Sequence, residues 1–311
     1  MTADSQCSRR TFLAQSAWSA AALGISGSLA ADSVQAEPAK AGKLPYQVCT
    51  FVKYLQSMSF DEQAQALAKL GFDGIESTVR KQGQILPEQA EEKLPEQVAA
   101  LKRHGLEMTI MASSINRADD PLTETILRTA ARLGVKRYRM DYYVYDLKRP
   151  IMPQLKELKP VVRDLAALNR EIGIQAIYQN HAGAKYVGAG LWDLNFLLED
   201  IPKEEIGIAY DIRHATVEGG LTWQTTWQLS QPHLAAVYVK DARWTGRKLE
   251  DGPLGWENGV VDPRFFKMLK ASEFSGPISL HVEYLGDKTI AENLTAIEQN
   301  FATLQHLLAT S

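Results

Sequence analysis

The feature that most constrains the fold of this chain is a regular alternation of short apolar segments with longer amphipathic segments after residue 43. Short apolar runs are typical of buried strands, whereas apolar residues repeated every three to four positions are typical of helices. The segments with the strand pattern are 46–51, 74–77, 107–112, 137–142, 174–178, 206–210, 235–240 and 278–283. Segments with the helical pattern are 60–70, 94–104, 122–133, 155–172, 265–270 and 289–308.

Four helical segments end in a glycine directly before the next strand segment, at Gly71, Gly105, Gly134 and Gly173. Glycine just past a helix adopts the left-handed conformation that ends it, so these positions are predicted helix-to-strand turns. Repeated strand–helix units predict a parallel sheet, and eight of them predict a closed barrel. The alternative is an open doubly wound sheet, but residues 49–53 (CTFVK) lack the glycine-rich turn that usually follows its first strand. We therefore predict an α/β protein with a single (βα)₈ TIM barrel over residues 44–311.

Residues 1–36 have the pattern of a twin-arginine export signal. The motif SRRTFL at 8–13 precedes a weakly apolar stretch at 17–30, and the cleavage pattern VQA at 34–36 is favoured over SLA at 28–30. The apolar stretch is shorter than the roughly 20 residues that span a bilayer. An uncleaved anchor or a disordered tail is the alternative. We expect a periplasmic or other extracytoplasmic protein with no membrane association beyond the signal.

Composition narrows the class of protein and of partner. The chain is 45% hydrophobic with a formal net charge of −3, which fits a globular protein and disfavours nucleic-acid binding. Of its two cysteines, Cys7 lies in the predicted signal, so no disulfide is expected in the mature chain. Cys49 lies in the first strand segment, and we predict a buried core thiol.

Polar side chains follow the strand segments at the places where a TIM barrel carries its active site, the carboxyl ends of the strands. These strand ends read DGIE at 73–76, QNH at 179–181, DIRH at 211–214, YVKDARW at 238–244 and HVE at 281–283. In this order they resemble the xylose isomerase-like TIM barrel superfamily, also called the sugar phosphate isomerase/epimerase family. The resemblance extends from residue 46 to about residue 308.

The resemblance implies a divalent metal cation, such as Mn, Zn, Co, Mg or Fe, bound by strand-end carboxylates. Asp211 and Glu283 match the metal-binding carboxylates of that family. Gln179 stands where a glutamate is common, and Tyr238 stands where a histidine is common, although a neutral amide and a phenol bind such cations poorly. His181 could compensate, as could Glu76 across the barrel. The predicted metal ligands are Asp211, Glu283, Gln179 and His181.

The remaining strand-end residues are assigned to chemistry or to substrate binding. The predicted catalytic residues are Glu283, His214, Lys240 and Glu76, and the predicted substrate contacts are His181, Arg213, Asp241 and Trp244. A lysine at such a position can polarise a carbonyl next to a developing carbanion. Each assignment has a structural alternative: Asp211 as a helix cap, and Lys240 as an ion-pair partner of Asp211 or Glu283.

Carboxylates, histidines and a lysine at a barrel mouth suit proton transfer next to a carbonyl. Together with the resemblance, this predicts a sugar isomerase or epimerase assisted by a divalent metal. Lyase, dehydratase or hydratase action on an oxidised sugar or inosose is the alternative, because an enediolate can expel a neighbouring hydroxyl. A non-catalytic carbohydrate-binding barrel is a second alternative. The resemblance implies a small-molecule sugar partner, and the sequence leaves open whether the chain forms a homo-oligomer.

Overall fold

The structure is a computed structural model that describes residues 44–286 and 288–311. The export signal predicted at residues 1–36 lies outside the described residues. Eight parallel strands form a closed barrel, in which the first strand pairs with both the second and the last. The barrel strands are β1 (Val48–Phe51), β2 (Gly74–Val79), β3 (Glu107–Ser113), β4 (Arg137–Arg139), β5 (Gln175–Gln179), β6 (Ile206–Asp211), β7 (Leu234–Val239) and β10 (Ile278–Leu280). The predicted (βα)₈ fold is thereby confirmed.

Helices cover the outside of the barrel, and an antiparallel hairpin follows β7. The helices are α1 (Phe60–Leu70), α2 (Ala90–Arg103), α3 (Thr123–Arg132), α4 (Ile151–Ile172), α5 (Trp192–Leu198), α6 (Ile212–Gly219), α7 (Trp223–Ser230), α8 (Arg264–Ala271) and α9 (Ile290–Thr310). The hairpin strands are β8 (Asp241–Thr245) and β9 (Lys248–Gly252). Among the described residues, no helix combines the length and the apolar character needed to cross a membrane.

Helix α1 shows how the sequence determines an element and its ends. Ser59 and Glu62 form a reciprocal capping box that satisfies free N–H groups at the start of the helix. Gly71 ends the helix with a φ of 92°, in the left-handed region that glycine tolerates without steric cost. The glycines predicted to end the other three helical segments also have positive φ. The predicted helix-to-strand turns are therefore confirmed.

Two barrel strands end three residues earlier than the sequence predicts. The segment 137–142 pairs only over Arg137–Arg139, and the segment 278–283 pairs only over Ile278–Leu280. The apolar pattern continues past the last ladder hydrogen bonds because Met140 and Val282 remain buried outside the sheet. Cys49 is a fully buried free thiol in a small interior cluster with residues of β3, β5, β6 and β7, as predicted.

Candidate active site

A cavity of about 220 Å³ opens at the carboxyl ends of β5, β6, β7 and β10. Its lining includes Lys53, His181, Arg213, His214, Lys240 and Glu283. A wider depression of about 1000 Å³ lies at the opposite end of the barrel and is lined by residues at the amino ends of strands, such as Gln175 and Leu234. TIM barrels carry their active sites at the carboxyl end, so the smaller cavity is the candidate site.

Asp211 ends β6 and is fully buried beside this cavity. Its Oδ1 accepts the backbone N–H of His214 at 3.0 Å, so it caps α6, which was the structural alternative for this residue. Its Oδ2 accepts the Nε2–H of Gln179 at 2.7 Å and lies 3.5 Å from Lys240 Nζ. Burial opposes ionisation, but His214 and the Lys240 ammonium hold the pKa of Asp211 well below its usual range. Asp211 is therefore an anion that both orders the helix and faces the site.

Lys240 lies between the two carboxylates predicted to bind metal. Its Nζ is 3.0 Å from Glu283 Oε2 and 3.5 Å from Asp211 Oδ2, and its side chain keeps 11% of its surface exposed toward the cavity. Burial disfavours the ammonium, but Glu283 and Asp211 more than offset it and raise the pKa of Lys240. The structural alternative, an ion pair, is thus present with both partners.

Glu283 contacts a second lysine and a histidine. Its Oε1 lies 3.2 Å from Lys53 Nζ, and its Oε2 lies 3.5 Å from His281 Nδ1. Burial would raise its pKa, but Lys240 first and then His281 and Lys53 hold the pKa of Glu283 well below its usual range. The cavity therefore contains a fixed carboxylate with an ammonium on each side.

The neighbours of Gln179 determine the orientation of its side-chain amide. Its Oε1 accepts hydrogen bonds from Arg139 Nη1 and from the hydroxyl of Tyr142, each at 2.6 Å. Guanidinium nitrogens can only donate, so the oxygen of Gln179 must face Arg139 and its Nε2–H must face Asp211. Gln179 consequently presents a donor to Asp211.

The two histidines of the cavity stack on each other with ring centroids 4.1 Å apart. His181 Nδ1 lies 2.9 Å from the carbonyl oxygen of Ala182, so this nitrogen carries the proton and Nε2 is the free acceptor. His214 Nδ1 lies 2.9 Å from Arg213 Nη1 and must accept, which places its proton on Nε2. Burial and the charge of Lys240 lower the pKa of His181 to about 4, and burial lowers the pKa of His214 well below its usual range. Both rings are neutral at pH 7.

Three of the predicted site residues either lie away from the cavity or are bonded to the protein backbone. Glu76, predicted to be catalytic, is fully buried against Arg139 Nε at 3.1 Å and His281 Nε2 at 2.9 Å, and it does not line the cavity. Asp241, predicted to contact substrate, borders the cavity but accepts backbone N–H groups of its own loop. Trp244, also predicted to contact substrate, is 51% exposed on β8 and does not line the cavity.

Sequence reasoning missed three residues that shape the site: Arg139, Tyr142 and Lys53. Arg139 is a buried arginine in β4, and an arginine within a predicted strand segment is a signal that could have been used, because buried charges are almost always paired. Lys53 follows β1 as a single lysine in a short loop, and nothing in its local pattern distinguishes it from a solvated side chain. Arg213, by contrast, was predicted and pairs with Asp251 of β9 at the cavity rim.

The arrangement of these residues does not fit a divalent cation. Within residues 44–286 and 288–311, no three His, Cys, Asp or Glu side chains come together in a way that could hold a metal ion. Gln179 directs an N–H toward Asp211, and the Tyr238 ring packs against His281 with centroids 4.6 Å apart. The predicted ligand set therefore does not converge on one point.

Several solved structures share this fold at low sequence identity. A 3-keto-D-glucoside 4-epimerase from E. coli has a TM-score of 0.62 at 15% identity, covering 83% of this chain and 99% of that one. A probable 3-DHS dehydratase from Bacillus anthracis has a TM-score of 0.65 at 16% identity, with 83% and 98% covered. The IOLI protein, solved with a zinc atom, has a TM-score of 0.66 at 17% identity, with 85% and 98% covered. At these identities the likeness shows the fold.

No curated protein matches the chain. A family model does match, and it covers residues 64–306, which is most of the barrel and all of the cavity residues except Lys53 and Tyr54. The chain belongs to the xylose isomerase-like TIM barrel family.

Proposed function

We propose that this protein is a sugar isomerase or epimerase that moves a proton at a carbon next to a carbonyl. The observation that carries the proposal is the pairing of Lys240 with Glu283 at 3.0 Å in the lining of a cavity at the carboxyl end of the barrel. A cation and a carboxylate side by side can polarise a carbonyl and accept the proton from the neighbouring carbon.

The substrate carbonyl oxygen accepts a hydrogen bond from the Lys240 ammonium in this proposal. That oxygen gains negative charge as the enediolate forms, and a buried cation stabilises the charge more strongly than water does. Glu283 is held ionised and acts as the base, while Lys53 on its other side keeps the carboxylate in place. No step requires a charged histidine.

Polar groups around this pair suit a small hydroxylated ligand. The free Nε2 of His181 can accept a hydrogen bond from a substrate hydroxyl, and Arg213 at the rim can donate one. The cavity of about 220 Å³ is smaller than the roughly 300–1,000 Å³ of sites for drug-sized ligands, so it suits a monosaccharide. Solved relatives described as sugar epimerases support the same substrate class.

We also propose that the protein acts outside the cytoplasm. The support is the SRRTFL motif with the apolar stretch behind it, which has the pattern of twin-arginine export. A reporter fused to residues 1–36 should leave the cytoplasm, and replacing both Arg9 and Arg10 by Lys should retain it there.

Proton exchange in heavy water tests the proposed reaction. The mature protein is incubated with a panel of ketoses and 3-keto-sugars, and loss of a single C–H signal next to the carbonyl is followed by NMR. Because Glu283 is the base, Glu283→Gln should slow exchange by about 10²–10⁴-fold. Glu257→Gln, on an exposed part of the loop after β9, is the matched control and should exchange at the wild-type rate.

Other outcomes of this experiment identify the alternatives. Loss of a hydroxyl with formation of an unsaturated product would assign the protein to the lyases or dehydratases. Binding of a sugar by calorimetry with no exchange in any ligand would contradict the enzyme and indicate a carbohydrate-binding barrel.

A further inference from the structure

We propose that Lys240 is a built-in cation that joins the two acidic strand ends where a divalent metal would otherwise bridge them, so the site works without a metal ion. This inference rests on the proposed function only for the role of that cation in polarising a carbonyl. The structural part concerns Asp211, Glu283 and Gln179 and is tested without substrate.

The Lys240 ammonium lies where a bridging metal ion would lie. A divalent cation lies about 2.0–2.6 Å from each carboxylate oxygen that binds it. Lys240 Nζ lies 3.0 Å from Glu283 Oε2 and 3.5 Å from Asp211 Oδ2, which places it between the two oxygens that a bridging ion would use. A metal shared by these carboxylates would therefore overlap the ammonium.

The side-chain amide of Gln179 is oriented against metal binding. Arg139 and Tyr142 both donate to its Oε1, so its N–H is turned toward Asp211 Oδ2 at 2.7 Å. That hydrogen occupies one side of this oxygen, and Lys240 Nζ lies 3.5 Å from the same atom, so little of it remains for a metal ion. A glutamate at position 179 would instead place a second negative oxygen against Asp211, and that arrangement would attract a cation.

The charges of the two carboxylates are already balanced by two lysines. Asp211 and Glu283 carry two negative charges, and Lys240 with Lys53 supplies two positive charges in direct contact. Buried charges are stable when they are paired, so this group is already neutral. A divalent ion would add two uncompensated charges.

The test converts the site into a metal site by removing the lysine. Two variants are made, Lys240→Ala and Gln179→Glu/Lys240→Ala, and Mn²⁺ binding is measured by calorimetry and by electron paramagnetic resonance. We expect no stoichiometric Mn²⁺ in the wild type and one ion per chain in the double variant. Its affinity should be at least about tenfold tighter than that of Lys240→Ala, a difference of ~1.4 kcal/mol.

Thermal unfolding gives a readout that also reports folding. Mn²⁺ should raise the unfolding temperature of the double variant, because an ion that binds only the folded state stabilises it, and should leave the wild type unchanged. If the double variant folds only when Mn²⁺ is present, the proposal is equally supported. The matched control is Lys53→Ala, which removes the other lysine of Glu283 but leaves the position between the carboxylates filled, and it should not gain Mn²⁺ binding.

Two results would overturn the proposal. One is wild-type protein that contains or binds about one divalent ion per chain and loses thermal stability with a chelator. The other is a pair of Lys240 variants that bind Mn²⁺ no better than Lys53→Ala. Neither result bears on the base assigned to Glu283, which the exchange experiment tests separately.

Discussion

At the scale of single residues, Glu76 shows that a carboxylate predicted at a strand end can lie within the strand and be structural. Its Oε2 accepts from Ser279 Oγ at 2.7 Å and contacts His281 Nε2 at 2.9 Å, and its Oε1 lies 3.1 Å from Arg139 Nε. Arg139 in turn donates to Gln179, so Glu76 supports the orientation of an amide in the site above it. Burial would raise the pKa of Glu76, but Arg139 and His281 lower it to about 2.

Replacing Glu76 by Gln should destabilise the protein strongly. Arg139 would keep its charge in a site that is 5% exposed, and breaking a buried ion pair in this way costs about 3–5 kcal/mol. Urea unfolding at pH 7 measures the change. Glu91→Gln, at an exposed position of α2, is the control and should stay within about 0.5 kcal/mol of the wild type. An equally small effect for Glu76→Gln would show that the ion pair contributes little.

The same variant should change the pH dependence of stability in a defined window. The folded pKa of Glu76 lies below its usual value of 4.5, so its ionisation stabilises the fold above pH 4.5. That stabilisation is lost as pH falls from about 4.5 to about 2, because the carboxylate becomes protonated in both states. The difference between wild type and Glu76→Gln should therefore shrink over this range. A difference that stays constant down to pH 2 would contradict the assigned pKa.

Site residues could be predicted from the sequence where they lie at the carboxyl end of a strand. Asp211, His214, Lys240 and Glu283 were predicted because the carboxyl ends of parallel strands meet. The structure places His214, Lys240 and Glu283 around one cavity, with Asp211 buried against Lys240. That rule does not say how deep inside the barrel a side chain lies. Glu76 lies inside the barrel because β2 continues to Val79, three residues beyond it, so its side chain is within the sheet and not at its end.

At the scale of elements, the hairpin and loop after β7 are organised by Asp241. Its Oδ1 accepts the N–H groups of Ala242 at 2.8 Å and Val261 at 3.1 Å, and its Oδ2 accepts that of Gly255 at 3.2 Å. A Cβ on Gly259 would lie 2.4 Å from Oδ2, so the loop closes tightly around this carboxylate. The loop also positions β9, whose Asp251 pairs with Arg213 at the cavity.

Asp241→Ala should loosen this loop. The buried N–H groups of Ala242 and Val261 would lose their acceptor, and an unsatisfied buried group costs about 1–3 kcal/mol. Limited proteolysis should cut the variant faster between residues 243 and 260, and urea unfolding should show the lower stability. Asp262→Ala is the control, because the Asp262 side chain bonds the adjacent Arg264 at the surface. Equal cleavage rates in the two variants would show that Asp241 does not hold the loop.

Elements with a long, clean period were predicted well, whereas of the short helices only α8 was predicted, as segment 265–270. Segment 60–70 coincides with α1, whereas α5 has seven residues and α6 and α7 have eight each, too few to show a helical period. Helix α6 begins directly after β6 because Asp211 caps it, so no loop sequence announces its start. The hairpin β8–β9 was missed because its strands are only partly buried and carry no alternating apolar face.

At the scale of the whole molecule, the last barrel strand closes the ring that the first strand opens, and the last helix packs on the outside of it. β1 pairs with β2 on one side and with β10 on the other, so the first and last strands of the barrel are neighbours. Phe301 of α9 stacks on Phe72, directly before β2, with ring centroids 4.1 Å apart. Asn300 accepts the N–H of Leu254 at 2.6 Å and donates to the Tyr284 hydroxyl at 2.9 Å, which links α9 to the cavity loops.

Phe301→Ala should therefore destabilise the barrel as one unit and not merely detach α9. Removing a buried phenylalanine leaves a cavity that costs about 3–5 kcal/mol. If the barrel unfolds cooperatively, far-ultraviolet circular dichroism and tryptophan fluorescence, which reports on the buried Trp223 and Trp227 of α7, should show one coincident transition at lower urea. Gln299→Ala, at an exposed position of α9, is the control and should shift neither curve by more than about 0.5 kcal/mol. A loss of helical signal that precedes the change in fluorescence would instead mean that α9 unfolds independently and that the eight-stranded barrel is stable without it.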